Sequence, residues 1–136
     1  MKEHIPVRIL IGKLGLDGHD RGALVISDYL RNLGYEVIFS GVHKSASQVM
    51  NIALQEDVQA IGISILSGSH IHHLSALVEE LKKAHSGNIL LFVGGIIPQG
   101  DFKELNELGI KGIFPSGSSL ASISLWLTEN LLQENG

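Results

Sequence analysis

A short polar loop near the amino terminus carries residue types that could bind a metal ion. It spans residues 13–22 and reads KLGLDGHDRG. Asp17 stands two residues before His19 and can accept a hydrogen bond from its Nδ1, which leaves Nε2 free and oriented, as in metal-ligating histidines. Gly22 has no side chain, so a bulky planar ligand could approach the backbone closely there. The loop therefore predicts a ligand site centred on His19.

Apolar periodicity predicts how this loop is positioned. Five apolar strands alternate with five helices, which is typical of a doubly wound α/β domain with a parallel sheet and right-handed crossovers. We expect one domain over residues 1–136, with the flavodoxin-like strand order 2-1-3-4-5. The predicted strands are Val7–Ile11, Glu36–Ser40, Ala60–Leu66, Ile89–Val93 and Gly112–Phe114. The predicted helices are Gly22–Leu33, one from Ser45 to near Gln55, His70–Ala84, one from Asp101 to Gly109, and a last one ending near Leu132. Ser45 with Gln48 is typical of a capping box, and Asp101 with Glu104 indicates the start of the fourth helix.

This topology brings further unusual residues to the same edge as the first loop. In that strand order the loops after strands one, three, four and five border one crevice, beside the switch point between strands one and three. The loop after strand three holds Ser64 and Leu66, the one after strand four Gly94 and Gly95, and the one after strand five Gly117. Taken alone, Ser64 could simply cap the end of a strand, and the two glycines could form a tight turn.

Composition excludes several classes of function. The chain has 136 residues, 44% hydrophobic and 18% charged, with a net charge of −4 and no cysteine. Without cysteine there are neither disulfides nor thiolate metal sites. The absence of a basic block argues against nucleic acid and anionic membrane as partners. The longest apolar runs have strand length rather than the length of a membrane span, and the amino terminus does not resemble a signal peptide, so we expect a cytoplasmic protein.

The first loop resembles a known family signature. Asp17-x-His19-x-x-Gly22 is similar to the cobalamin-binding motif of adenosylcobalamin-dependent mutases and methionine synthase. The longer pattern over residues 13–22 resembles the acyl-CoA mutase branch in particular. Ser64-x-Leu66 and Gly94-Gly95 match two further family landmarks at the expected spacing, so the resemblance covers essentially the whole chain. A motif gains weight when its strand–loop–helix setting is right, as it is here.

The resemblance implies roles for the residues of the first loop. His19 would be the lower axial ligand of cobalt, in place of the cofactor's own benzimidazole. Asp17 would hydrogen-bond His19, and Lys13 would complete a His–Asp–Lys relay that tunes the ligand's basicity. The residues expected to pack under the corrin are Gly18, Asp20, Arg21 and Gly22.

The other loops would receive the nucleotide tail of the cofactor. Ser64 and Leu66 would line a deep pocket for the displaced dimethylbenzimidazole, whose nitrogen needs a hydrogen-bond donor when buried. Gly94 and Gly95 would let the ribose and phosphate lie against bare backbone. Gly117 is retained from the family pattern, although Pro115 stands two positions before it rather than immediately before it.

The implied function is the cobalamin-binding small subunit of a two-component acyl-CoA mutase, an isomerase. It would hold adenosylcobalamin base-off for the radical 1,2-rearrangement of isobutyryl-CoA, 2-hydroxyisobutyryl-CoA or methylmalonyl-CoA. Since no barrel is fused to this domain, the substrate would bind to a large barrel subunit, in a hetero-oligomer expected to contain two of each chain. This chain would carry no catalytic residue of its own and would be inactive alone.

Other classes fit the residues less well. The form of the first loop argues against a glutamate mutase small subunit, which stays open as an alternative together with a non-catalytic cobalamin carrier or sensor. Methyl-transfer corrinoid proteins usually carry a helical cap, for which this sequence leaves no room. A receiver domain needs an acidic pair directly after strand one, where this sequence has Gly12 and Lys13. An FMN carrier needs a Ser/Thr-rich phosphate loop at the same place, and this is also missing from the sequence. The cluster His70, His72 and His73 could suggest zinc, but a solvated helix start fits it better.

Overall fold

The fold is described by a computed structural model for residues 7–15, 21–65, 70–86 and 88–135, with side chains described up to residue 131. These residues form five strands, five α-helices and one 3₁₀ turn. The strands are β1 (Arg8–Gly12), β2 (Glu36–Phe39), β3 (Ala60–Ile65), β4 (Leu90–Gly95) and β5 (Gly112–Pro115). The helices are α1 (Arg21–Asn32), α2 (Ala46–Glu56), α3 (His70–Lys83), α4 (Phe102–Glu107) and α5 (Leu120–Asn135), and the 3₁₀ turn Gln99–Asp101 precedes α4.

The five strands form one parallel sheet in the order β2-β1-β3-β4-β5, which confirms the predicted topology. β1 pairs with β3 up to Gly12 opposite Ile63, and β3 pairs with β4 up to Ile65 opposite Gly95. β4 in turn pairs with β5 up to Gly95 opposite Pro115. The carboxyl ends of β1, β3, β4 and β5 therefore meet along one edge, as parallel strands must.

Two apolar layers cover the sheet. On one face, β-strand residues such as Ile9 and Ile11 pack with Ala23 and Leu30 of α1 and Leu127 of α5. On the other face, α2, α3 and α4 contribute a second cluster, whose fully buried helical members include Val49, Leu74, Leu77 and Leu105. Both faces of the central strands are thus buried, which explains their nearly continuous apolar sequence. In the described part of the chain, no helix has the length and apolar character needed to cross a membrane.

Local signals placed two helix starts correctly, but only one of the two side-chain caps forms. The predicted capping box of α2 is confirmed, because the Ser45 hydroxyl accepts from the Gln48 amide while the Gln48 side chain accepts from the Ser45 amide. The predicted start at Asp101 is also confirmed, since α4 begins at Phe102, but Asp101 does not cap the helix. Its backbone is helical, its side chain makes no capping bond, and its carboxylate instead contacts His70 Nε2 at 2.8 Å. A tertiary partner therefore outcompeted the local cap.

β4 is longer at its carboxyl end than the sequence predicted. Gly94 and Gly95 belong to the strand instead of following it, and they pair with Ser64 and Ile65 of β3. Gly95 has φ +117°, and a Cβ at this position would collide with the Ile65 carbonyl. At Gly94, by contrast, an added Cβ would meet only ordinary contacts, with Phe114 O at 3.5 Å. The backbone therefore requires glycine at position 95 but not at position 94.

We expect Gly95→Ala to lower the free energy of unfolding by at least about 2 kcal/mol, because a side chain there is strained and meets backbone. Gly94→Ala should cost less than about 1 kcal/mol, since its Cβ fits without a clash. Gly100→Ala is the matched control, because that glycine is exposed and an added Cβ meets nothing within 4 Å. Urea unfolding followed by circular dichroism measures all three. Equal stability of the Gly95→Ala and Gly100→Ala variants would contradict this account of β4.

Candidate functional site

A groove opens at the carboxyl edge of the sheet, on the face covered by α1 and α5. Its empty volume is about 630 Å³, including the open mouth. Small-molecule sites typically measure about 300–1,000 Å³. Five of the residues predicted from the sequence line it together: Gly22, Ser64, Gly94, Gly95 and Gly117. The groove is therefore the place where the start of α1, the ends of β3 and β4 and the loop after β5 meet.

Ser64 supplies a hydrogen-bonding group to this groove. It lies at the end of β3 and is half-buried, and its hydroxyl makes no hydrogen bond to another described residue. A methyl group added to Gly22 would sit 3.6 Å from Ser64 Oγ, so α1 starts directly beside the hydroxyl. The simpler alternative, a serine whose hydroxyl caps its own strand, does not describe this geometry. The hydroxyl is available to a ligand in the groove.

The walls of the groove are mainly apolar. Ile26 of α1 lies on one side, and Leu120 and Ile123 of α5 lie on the other. Beneath them, the Phe92 ring covers Gly62, where a Cβ would collide with it, and Phe92 meets Phe114 with ring centroids 6.2 Å apart. An apolar cavity with few polar groups suits a flat heteroaromatic ligand that needs one donor.

The sequence did not identify these wall residues. The spacing of four apolar residues of α5 predicts a single core face, made of Leu120, Ile123, Trp126 and Leu127. Leu127 is fully buried, and Trp126 packs against Phe92 and Phe114, as expected for a core face. Leu120 and Ile123, in the first turns of α5, are only half-buried and line the groove, while Ile123 also packs against the core on this face. No local signal separates a core position from a wall position on the same helix face.

The strand that leads into the first loop is firmly anchored. Lys13 is completely buried, and its Nζ donates a 2.9 Å hydrogen bond to the backbone carbonyl of Ser64. The Lys13 amide donates to Ser40 Oγ at 3.3 Å, and the Gly15 amide donates to the Lys44 carbonyl at 2.8 Å. The chain from Lys13 to Gly15 is thus held to β3 on one side and to the segment after β2 on the other.

The loop after β5 closes the far end of the groove. The Ser116 amide donates to the Gly95 carbonyl at 2.8 Å, which holds this loop against the end of β4. Gly117 follows with φ +96° and open space where a Cβ would be. The Ser119 hydroxyl then accepts from the Ser122 amide at 3.1 Å and caps α5. The proline shift seen in the sequence leaves this glycine at the groove.

The remaining predicted residues divide into two groups. Arg21 is exposed at the first position of α1 and does not line the groove. The others lie outside the described residues: Asp17, Gly18, His19, Asp20 and Leu66. Their predicted roles, including cobalt ligation by His19, remain predictions.

The histidines of α3 make contacts within the protein. His70 Nε2 contacts Asp101 Oδ2 at 2.8 Å and joins the start of α3 to the 3₁₀ turn after β4. The His72 and His73 rings meet edge to face, with centroids 5.4 Å apart, and the His73 ring packs where a Gly15 side chain would be. Within the described ranges, no three His, Cys, Asp or Glu side chains lie close enough to hold a metal ion.

Solved structures with the same fold come from different classes of protein. A cobalamin-binding protein from Desulfitobacterium hafniense superposes with a TM-score of 0.77 at 14% identity, covering 90% of this chain and 58% of that one. A response regulator receiver domain from Methanospirillum hungatei superposes with a TM-score of 0.70 at 16% identity, covering 96% of this chain and 98% of that one. These likenesses establish the fold and nothing further.

Proteins that are similar in sequence indicate the family more closely than the solved structures do. The 2-hydroxyisobutanoyl-CoA mutase small subunit of Aquincola tertiaricarbonis is 37% identical over 111 residues, 82% of each chain. The pivalyl-CoA mutase small subunit of Xanthobacter autotrophicus is 37% identical over 118 residues, 87% of this chain and 79% of that one. A probable methylmalonyl-CoA mutase large subunit of Mycobacterium bovis is also 37% identical over 129 residues, but the chain spans only 17% of that protein.

The family model of the B12 binding domain matches residues 7–122, which include all four loops that border the groove. Together with the mutase subunits at 37% identity, this match defines the cofactor class as cobalamin. The chain belongs to the B12-binding domain family, in its mutase branch.

Proposed function

We propose that this chain is the cobalamin-binding small subunit of a two-component acyl-CoA mutase. The observation that carries the proposal is the match to two separate small subunits over about four-fifths of their own length. The large-subunit relative contains the same domain as a small part of a much longer chain. A partner of the large-subunit kind, a barrel that binds acyl-CoA, would complete the enzyme, and we expect two copies of each chain.

The groove fits the nucleotide tail of a base-off cobalamin. A buried benzimidazole nitrogen needs a donor, and the Ser64 hydroxyl at the groove has no other described partner. The apolar walls suit the methylated ring, and the bare backbone at Gly94 and Gly95 suits the ribose and phosphate. Bound in this way, the tail would be held by the groove residues, and a protein side chain would serve as the ligand to cobalt.

His19 is proposed as that ligand, with Asp17 orienting its imidazole and Lys13 at the base of the loop. The four residues Gly18, Asp20, Arg21 and Gly22 are proposed to face the corrin, and Leu66 to join Ser64 at the tail. When bound, adenosylcobalamin supplies the radical chemistry of a 1,2-rearrangement. The residues of this chain bind the cofactor, orient it and keep water from its lower face.

The substrate is proposed to be a short branched acyl-CoA. The two small-subunit relatives belong to mutases of 2-hydroxyisobutanoyl-CoA and pivalyl-CoA, both of them branched. Isobutyryl-CoA and methylmalonyl-CoA fit the same class. Because the substrate would bind to the partner, residues of the partner would choose among these acyl groups.

Reconstitution tests the proposed assembly. The purified chain, adenosylcobalamin and the large acyl-CoA mutase subunit of the same organism are combined with each branched acyl-CoA in turn. We expect isomerised product, detected by mass spectrometry, only when both proteins and the cofactor are present. A chain that binds cobalamin but supports no isomerisation and forms no complex with the large subunit would instead be a carrier or sensor.

Cofactor ligation gives a second test. Adenosylcobalamin mixed with the chain should show a base-off visible spectrum. With histidine labelled with ¹⁵N, the cob(II)alamin form should show one coupled protein nitrogen in its electron paramagnetic resonance spectrum. His19→Ala should remove that coupling, whereas His72→Ala, at an exposed position on α3, should keep it. Coupling that persists in the His19→Ala variant would refute the assignment of the ligand.

Blocking the groove gives a third test. Ser64→Trp should fill the space beside Gly22 and weaken binding of complete cobalamin by at least about tenfold, or ~1.4 kcal/mol. Binding of cobinamide, which lacks the nucleotide tail, should change much less. Ser47→Trp, on the exposed side of α2, serves as control. Equal losses for the two ligands, measured by absorbance titration, would show that the tail does not lie in this groove.

A further inference from the structure

Lys13 and Ser64 stand one residue beyond the last pair of the β1–β3 ladder, Gly12 opposite Ile63. At this point the two strands separate, because β1 leads to α1 on one face of the sheet and β3 leads to α3 on the other. The Lys13 side chain spans the widening gap and donates from Nζ to the Ser64 carbonyl at 2.9 Å. A side chain thus continues the connection that the backbone ladder no longer provides.

The bond is of a strong kind. Lys13 has no solvent exposure at all, so its polar end must be satisfied within the protein. A lysine ammonium offers three donors, which allows Lys13 to bind the Ser64 carbonyl and a second group at the same time. Hydrogen bonds with one ionised partner are roughly twice as strong as neutral ones. The Ser64 carbonyl is therefore held firmly from the side of β1.

The same residue presents its hydroxyl to the groove. Gly94 fixes Ser64 from the side of β4 through the register of the sheet, and Gly22 lies next to Ser64 Oγ. With the carbonyl held by Lys13 and the strand held by β4, the orientation of the Ser64 backbone is determined on both sides. That orientation sets the direction of Cβ and hence the position of the hydroxyl.

We propose that Lys13 is a positioning residue for the nucleotide tail, which it acts on through the Ser64 carbonyl. This rests on the proposed function, since it presumes a tail in the groove, and it adds a role distinct from the relay to the cobalt ligand. One buried side chain would then couple the loop after β1 to the pocket after β3. The corrin and the nucleotide tail would then be recognised by two parts of the protein that are both held by Lys13.

The test compares two ligands that differ only in the tail. Dissociation constants are measured by absorbance titration for hydroxocobalamin and hydroxocobinamide. Their ratio reports tail recognition, because any effect of Lys13 on cobalt ligation or on the stability of the loop acts on both. We expect Lys13→Met to lower the preference for hydroxocobalamin roughly tenfold. Lys103→Met, an exposed lysine on α4, is the control for loss of charge and should leave the ratio unchanged.

A double-mutant cycle with Ser64→Ala tests whether Lys13 acts on tail binding through Ser64. If Lys13 acts through Ser64, adding Lys13→Met to Ser64→Ala should lower the ratio no further. The effects of substitutions at two residues that act on the same interaction do not add. Full additivity would overturn the proposal. So would an unchanged ratio in Lys13→Met with equal losses for both ligands, which would confine Lys13 to the first loop.

A second variant covers the case in which Lys13→Met does not fold. Lys13→Arg keeps a charged donor but presents it in a different geometry, and should lower the ratio by a smaller factor. A wild-type ratio in Lys13→Arg, where Lys13→Met is unfolded, would contradict positioning through this bond. Failure of the proposed function looks different, because the wild-type chain would then show no preference for hydroxocobalamin over hydroxocobinamide.

Discussion

The separation of two neighbouring strands at the centre of the sheet is the constraint on which the site depends. β1 and β3 lie side by side, but their following helices pack on opposite faces, α1 with α5 and α3 with α2 and α4. A gap between the two strand ends is unavoidable in this order. Every residue that lines the groove from β1, β3, β4 or β5 is placed there by the parallel register. The strand order therefore determines where the groove lies, and the individual side chains determine what it can bind.

The sequence predicted the parts of this arrangement that follow strand periodicity. Strand order followed from apolar periodicity, whereas Ser64, Gly94, Gly95 and Gly117 were singled out through the family resemblance, because each taken alone also fits a purely structural role. The walls could not be derived. Leu120 and Ile123 have the spacing of core residues, and only the assembled fold shows that these half-buried side chains also line a groove.

Two local predictions, a helix cap and a tight turn, were overridden by contacts with a neighbouring element of the fold. Asp101 with Glu104 has the spacing of a helix cap, yet the carboxylate contacts His70 Nε2, thirty-one positions away in the chain. Gly94 and Gly95 have the composition of a turn, yet they continue the β4 ladder because β3 also extends to Ile65. In both cases the competing partner lies on a neighbouring element, so no window of sequence around the residue contains the information.

The floor of the groove is a packed aromatic cluster. Phe92 is buried and fills the space left by Gly62, and its ring meets Phe114 and Trp126 with centroid distances of 6.2 and 5.8 Å. A packed aromatic floor loses little side-chain freedom when a flat ring is placed on it, so less of the binding free energy is spent on ordering the site. The polar contribution can then be small, because one correctly placed hydroxyl distinguishes a ring with an acceptor nitrogen from a purely apolar one. In the proposed site the position of Ser64 would therefore matter more than the number of polar groups, and the bonds that hold its backbone would contribute to binding together with its hydroxyl.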